Sequence, residues 1–325
     1  MMVSVNMLAY NHGKYIGQAI DSILMQKTNF DYEIIIGEDC SKDETRKIVL
    51  DYQEKYPDKI RLLLHKSNVG MMQNFTDTIK MCIGKYIALL EGDDFWSDPY
   101  KLQMQVEFLE KHDEFGLVHT DADVLFEKTG NIIKRYNFAK EWYIPEGYIF
   151  DELLPRMFIK TLTVMFRSAL TKKYLEEVDS IHWTIGDHPL FIYISKFSKV
   201  KYFNYSTGVY RIIKKSATQH TSLEQKITFM EGLLNIEKYF AGKFGASDNT
   251  KRLVDINYHE RNLQIAFYKS DFTRAKESYM FLKNQNKLLL KWQLMYFGTG
   301  ISVIKEIILR ILRLKKNIRI LLNRN

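Results

Sequence analysis

Four times in its first hundred residues the chain repeats one unit: a short apolar run of strand character, then a segment of helical periodicity. "VSVNMLA" (3–9) is followed by "GKYIGQAIDSILMQ", which puts Ile16, Ile20, Ile23 and Leu24 on one helical face. "YEIIIG" (32–37) reads as a buried strand. Behind it, Ser41 and Glu44 read as a capping box for a helix that runs to about Tyr56 and stops at Pro57. "IRLLLH" (60–65) is the third strand, with a helix through "MMQNFTDTIKMCI". "KYIALL" (85–90) is the fourth, after which Asp98 is placed to cap a helix with Pro99 in its first turn and Leu102, Val106 and Leu109 as its core stripe. This alternation predicts the α/β class, a mainly parallel sheet with flanking helices. From about 116 to 215 the pattern is more strand-like and irregular, and after about Ser222 it is almost wholly helical. The shifts predict two domains, 1–215 and 216–325, which suits a length of 325 residues.

Ligands of such sheets bind beyond the carboxyl ends of the strands. Here those ends carry Tyr10-Asn11, Glu38-Asp39, "HKSNVG" with Asn68 and Gly70, and Glu91-Gly92-Asp93-Asp94. Polar residues at four successive ends would share one rim. The acidic turn is the sharpest of them, because carboxylates this close raise the cost of ionising one another. A divalent cation among them removes that cost, and Mg²⁺ and Mn²⁺ prefer oxygen ligands. The other reading of the turn is a solvated acidic loop. No cluster of His and Cys has zinc spacing.

Composition excludes several classes. Apolar residues make up 46% of the chain, enough for a sizeable core, which sets disorder aside. Cys40 and Cys82 are the two cysteines, so there is no disulfide framework, and a reducing compartment suits the chain. "MMVSVNMLAY" lacks the basic and apolar regions of a signal peptide, and no window reaches the roughly 18 apolar residues of a spanning helix. A cytoplasmic protein is expected.

"VSVNMLAYN", "EIIIGEDCSKDET", "NVG", "YIALLEGDDFWSDPYKLQMQ" and "WTIGDHPLF", in that order, resemble family-2 glycosyltransferases of the GT-A fold, the type that builds bacterial surface polysaccharides. The resemblance covers about residues 1–215. It implies a Rossmann-like mixed, mainly parallel sheet and a nucleotide-sugar donor, UDP-linked in the first instance. It assigns Tyr10, Asn11 and Asp39 to the nucleotide base, with Cys40 where relatives usually carry glycine, and Asn68 to the same pocket. The acidic turn matches the family's Asp-x-Asp motif, with Glu91 in its first place. Asp93 is then the direct ligand of Mn²⁺ or Mg²⁺, while Glu91 and Asp94 bind ribose or metal-bound water. In "WTIGDHPLF", Asp187 takes the place of the general base that deprotonates the acceptor hydroxyl, which implies transfer with inversion. On spacing alone Asp187 reads first as a helix N-cap, and both roles can hold. Trp183 could stack on an acceptor sugar or belong to the core, and Arg211 could reach the diphosphate. Relatives often place a histidine two residues after that arginine. Here the place holds Ile213, with His220 as a remote substitute.

The net charge is +8, of which residues 301–325 hold +6. In that tail Ile304, Ile307, Ile311, Leu314, Ile318 and Leu321 recur at spacings of three and four. Lys305, Arg310, Arg313, Lys316 and Arg319 lie mostly off the stripe. A cationic amphipathic helix of this kind suits an anionic membrane surface, or packing on protein. Trp292 and Tyr296 sit upstream where interfacial aromatics are expected. The implied enzyme is a metal-dependent inverting glycosyltransferase with a saccharide acceptor, lipid-linked if the tail seeks membrane, peripheral on the cytoplasmic face. No motif points to nucleic acid. The rival readings are a non-catalytic nucleotide-sugar-binding or membrane scaffold protein, and a sugar nucleotidyltransferase. The second should show a compact Gly-rich phosphate loop, which "AYNHGKYIGQ" does not form.

Overall fold

A computed structural model describes residues 1–178, 183–213, 222–287, 289–301 and 304–311. Through residue 212 the elements run β1 (Val3–Ala9), α1 (Ile16–Leu24), β2 (Tyr32–Glu38), α2 (Thr45–Lys55), β3 (Ile60–Leu64), α3 (Met71–Met81) and β4 (Tyr86–Glu91). Next come β5 (Phe95–Trp96), α4 (Lys101–Lys111), β6 (Phe115–Phe126), β7 (Asn131–Ile133), α5 (Tyr136–Ala139) and α6 (Phe150–Leu153). A 3-10 turn (Thr161–Thr163) leads into β8 (Met165–Arg167), α7 (Ala169–Val178), α8 (Asp187–Phe197) and β9 (Lys199–Ile212). The helical remainder is α9 (Leu223–Phe244), α10 (Asp248–Lys269), α11 (Phe272–Asn284) and α12 (Leu290–Gly300), with a further short helical segment over 304–311. The chain divides into two compact units, Met1–Glu127 with Ile132–Ile212, and Lys128–Asn131 with Ile213–Asn325.

In the first unit a mixed sheet has the order β3-β2-β1-β4-β8-β6-β9-β5, with β7 beside β6. β3, β2, β1 and β4 are mutually parallel, β8 enters antiparallel to β4 and β6, β9 runs parallel to β6, and β5 pairs antiparallel to β9. All seven residues of β2 are buried, as are six of seven in β1, because helices cover both faces. Ile16, Ile20 and Ile23 of α1 and Leu102, Val106 and Leu109 of α4 enter the same core as the sheet. Each such side chain contributes about 1.5–3 kcal/mol by leaving water.

Two helices start later than the sequence predicts. Glu44, not Ser41, precedes α2, and no side chain caps it. The Ser41 hydroxyl instead accepts from the Asn11 N–H (2.9 Å), which ties the end of β2 to the end of β1. Likewise Tyr100, not Asp98, precedes α4, and Asp98 accepts from the Tyr100 N–H (2.8 Å). In both cases the polar side chain is used inside the loop at a strand's end.

The second unit is capped as its sequence indicates. Ser222 and Gln225 form a reciprocal capping box on α9, which ends at the left-handed Gly245, and Ser247 and Asp271 cap α10 and α11. Phe267, Ala266, Leu282, Trp292 and Met295 make its core. Ile308 joins that core while Ile307 and Ile311 stay exposed. The first turns of the expected amphipathic tail therefore pack partly on protein. Leu314, Ile318, Leu321, Arg313, Lys316 and Arg319 lie outside the described residues.

Beneath the sheet's end, Lys101 is fully buried. Its ammonium donates to Gln105 Oε1 (2.7 Å) and lies 4.4 Å from the centre of the Trp96 ring. Gln105 Nε2 donates to the Thr163 carbonyl and Trp96 Nε1 to the Leu162 carbonyl, both at 2.8 Å, so this layer pins the 3-10 turn. Burial pushes the Lys101 pKa down to about 7. Between that value and the unfolded value the unfolded chain binds the extra proton, so stability rises with pH over this window, by at most about 1.4 kcal/mol per unit. Denaturant titrations of wild type and Lys101→Met at pH 7, 8 and 9 should show that rise in the first and its loss in the second. Cys40 holds a left-handed φ of 56°. Replacing it with glycine should raise stability by about 1 kcal/mol in the same titration, since a non-glycine residue pays a steric cost there.

Candidate active site

The ends of β1, β2, β3 and β4 converge as the alternation requires, and backbone hydrogen bonds lock them together. Lys42 N–H donates to Asn11 Oδ1 (2.8 Å), so Asn11, itself left-handed at φ 56°, is a clamp between the first two loops. Tyr10 beside it is 40% exposed. Asp39 is buried. Its Oδ1 accepts from Val69 N–H (2.7 Å), and its Oδ2 accepts from Gly70 N–H (3.0 Å) and Asn68 Nδ2 (2.9 Å). The loop after β3 is thus wrapped on Asp39, and Asn68 serves to hold it. Glu38 lies deeper, paired with Arg46 and accepting from Ser41 N–H (2.6 Å).

At the end of β4, carboxylate oxygens of Glu91, Asp93 and Asp94 all lie within 4.8 Å of one another. Burial, then Asp93 and Asp187, raise the pKa of Glu91 well above the usual carboxylate range. Burial, then Asp93 and Glu91, do the same for Asp94, against the pull of Arg211. Asp94 Oδ1 accepts from the Arg211 N–H (2.7 Å), while its Oδ2 is buried without a partner among the described residues. Three crowded acids and an orphaned buried oxygen fit an oxygen-liganded divalent cation. Gly92 lets the turn close. A Cβ there would meet Ile16 Cδ1 at 2.6 Å and His12 Nδ1 at 2.8 Å.

Asp187 opens α8 as its first residue, with Gly186 in the cap position, so the side chain does not act as the N-cap. It accepts from His188 N–H (2.7 Å) and from the Thr161 hydroxyl. Asp187, Thr161 and Glu91 line one pocket with the apolar side chains of Leu8, Phe75 and Leu90. The ends of β1 and β4, the first turns of α3 and the start of α8 therefore meet at one place.

Two further candidates are held by the interior, which for Trp183 is one of the two places the sequence left open. Trp183 is 6% exposed, so its ring belongs to the protein interior and offers no face to a sugar. Arg211 is buried under the acidic turn. Its Nε donates to the Asp93 carbonyl (2.8 Å) and its terminal nitrogens reach Gln18 Oε1 (2.7 Å) and Glu127 Oε2 (3.1 Å), between the rings of Tyr15 and Phe95. Its guanidinium nitrogens are all engaged in holding the turn. His220 lies outside the described residues, and Ile213 offers no ligand atom.

The sequence reading passed over three residues. His12 follows Tyr10-Asn11 directly, and its Nε2 comes 4.0 Å from Asp93 Oδ1. Burial lowers its pKa, against Asp93 and Asp43. Its place in the loop after β1 was the available signal. Thr161, which orients Asp187, and Lys160, which lies 5.0 Å from the ring centres of both Tyr136 and Tyr210, stand in a stretch with no motif.

The sequence profile of glycosyl transferase family 2 matches residues 4–177. The putative teichuronic acid biosynthesis glycosyltransferase TuaG of Bacillus subtilis is 32% identical over 165 residues, 50% of this chain and 61% of that one. The chain spans about half the length of the Mycobacterium tuberculosis relatives that it matches at 35% identity. Among solved structures, Staphylococcus aureus TarS 1–349 in complex with UDP-GlcNAc superposes with a TM-score of 0.60 at 15% identity, over 92% of this chain and 79% of that one. The mannosyltransferase PcManGT of Pyrobaculum calidifontis, in complex with GDP-Man and Mn²⁺, gives 0.57 at 14%, over 94% and 86%. Those likenesses establish a GT-A fold. With the family profile covering more than half of its length, the chain belongs to glycosyltransferase family 2.

Proposed function

We propose that the first unit is the catalytic domain of a metal-dependent, inverting glycosyltransferase that moves a sugar from a UDP-type nucleotide donor to a saccharide acceptor. The observation that carries this reading is the meeting of Glu91 and Asp187 in one pocket, close enough for Asp187 to raise the pKa of Glu91. Tyr10 would stack on the base, and Asp39 with Asn11 and Asn68 would shape its slot. Asp93 would hold Mn²⁺ or Mg²⁺, with Glu91 and Asp94 taking ribose hydroxyls or metal-bound water. A bound divalent cation supplies charge neutralisation for the departing diphosphate. Asp187, steadied by Thr161, would take the acceptor's proton from the face opposite the leaving group. TarS with UDP-GlcNAc, PcManGT with GDP-Man and Mn²⁺, and the teichuronic acid name of TuaG support a nucleotide-sugar donor and a surface-polysaccharide product. We place the enzyme peripherally on the cytoplasmic face of an anionic membrane, where its acceptor is lipid-linked. No helix among the described residues is long and apolar enough to cross one.

A panel of nucleotide sugars with Mn²⁺ or Mg²⁺, read by donor binding and transfer, tests this directly. Asp93→Asn should abolish metal-dependent donor binding. Asp187→Asn should keep donor binding and lower transfer by about 10²–10⁴. Donor binding with no transfer to any acceptor would leave a binding protein instead. The raised pKa values of Glu91 and Asp94 add a pH test. At low pH both hold protons that a cation must displace. As pH rises through their folded values, the cation-free site loses stability and the cation restores it. The thermal shift produced by Mn²⁺ should therefore be larger at about pH 8 than at about pH 5.5.

A further inference from the structure

The helix α12 is apolar on two sides. Its inner side carries Trp292 and Met295 into the core of the second unit, and Trp292 Nε1 donates to Glu260 Oε1 (3.0 Å). Trp292 is therefore no interfacial aromatic. Its outer side carries Leu290, Leu294, Phe297 and Ile301, spaced by four, three and four residues on one helical face. These four side chains are between 42% and 69% exposed. Phe272 of α11 extends the patch. Its exposed ring stacks on Tyr296 at 5.4 Å, and a Cβ on Gly300 would touch it at 3.3 Å.

A helix apolar all round normally lies within a core or within a membrane. Eleven residues extend only about 17 Å, too short for a hydrocarbon layer of about 30 Å. The outer side must then be covered by something that lies against it. Charge decides what. Residues 283–301 hold Lys283, Lys287 and Lys291 and no Asp or Glu. All three lysines are exposed and none has an acidic partner among the described residues, although the Lys291 ammonium lies 4.0 Å from the centre of the Trp292 ring. The chain's last residues, 312–325, likewise hold five Lys/Arg and no acid, so the sequence there offers this rim no counter-charge. A second copy seated face to face would set lysines against lysines. An anionic lipid surface complements both the apolar stripe and its cationic rim.

We propose that the outer face of α12, with Phe272, lies in an anionic lipid surface and seats the enzyme there. This rests on the membrane-associated reading above and names the face that performs it. The test uses the full chain with vesicles of equimolar phosphatidylcholine and phosphatidylglycerol, and with pure phosphatidylcholine, followed by co-sedimentation. Wild type should bind the anionic vesicles. The triple variant Leu290→Gln, Leu294→Gln, Phe297→Gln should bind them at least about tenfold more weakly at an unchanged melting temperature. Lys287→Glu with Lys291→Glu keeps the apolar face, guards against a misfolded triple variant, and should lose the preference for phosphatidylglycerol. Undiminished binding by both variants, with binding lost on removal of residues 312–325, would overturn the α12 face while leaving the membrane reading in place. Failure of wild type to bind would overturn both. Sedimentation showing a dimer that the triple variant dissolves, with vesicle binding intact, would assign the face to a second copy and overturn the proposal.

Discussion

Three carboxylates crowd at the end of a buried strand, and their mutual repulsion sets the terms for everything around them. β4 brings Glu91 to the rim, and Gly92 lets the chain turn so tightly that Asp93 and Asp94 fall beside it. Left alone, such a turn would open toward water. Arg211 prevents this from below: its N–H holds Asp94, its guanidinium holds the Asp93 carbonyl, and Gln18 and Glu127 fix the guanidinium in turn. Burial first, and then the repulsion that remains, raise the pKa of Glu91 and Asp94. Three acids crowded in this way fit a divalent cation, whose charge would offset both the burial and the repulsion.

The second half of the site is built by a different part of the chain. Thr161 reaches Asp187 from a 3-10 turn whose carbonyls are fastened by Trp96 and Gln105. Both fasteners belong to the segment just after the acidic turn, and Lys101 stacks between them. One stretch, residues 91–105, thus carries the metal-binding candidates on its front and positions the orienting hydroxyl of the proposed base from behind. The buried lysine is the cost of that arrangement, tolerated because its ammonium has an amide oxygen and an indole ring as partners.

In the helical unit the deciding feature is which side of α12 faces inward. The sequence "LLLKWQLMYF" is apolar at most positions, so periodicity alone does not say which side meets the core. Packing chooses Trp292 and Met295, with Gly298 allowing the close approach of Ile308 and Phe267. The leucines and Phe297 are left outside, which reverses the expectation drawn from the aromatic residues.

The alternation of strands and helices up to residue 111 was legible in the sequence because buried parallel strands must be apolar and their helices must be one-sided, and both constraints leave a period. The acidic turn was legible because like charges seldom gather without a reason, and the order of short motifs pointed to the family. The starts of α2 and α4 were not, since Ser41 and Asp98 had partners in loops that no local pattern reveals. Trp183 stood open between core and sugar face until the fold buried it, and neither the turning of Arg211 beneath Asp93 nor the hold of Thr161 on Asp187 was legible. Those depend on contacts between residues 26 to 193 positions apart, which only the closed sheet brings within reach. Sequence determined which residues could do chemistry and on which rim, because periodicity and charge are local properties. Tertiary structure decided which of them face one another, because hydrogen-bond reach is a matter of distance in space and not along the chain.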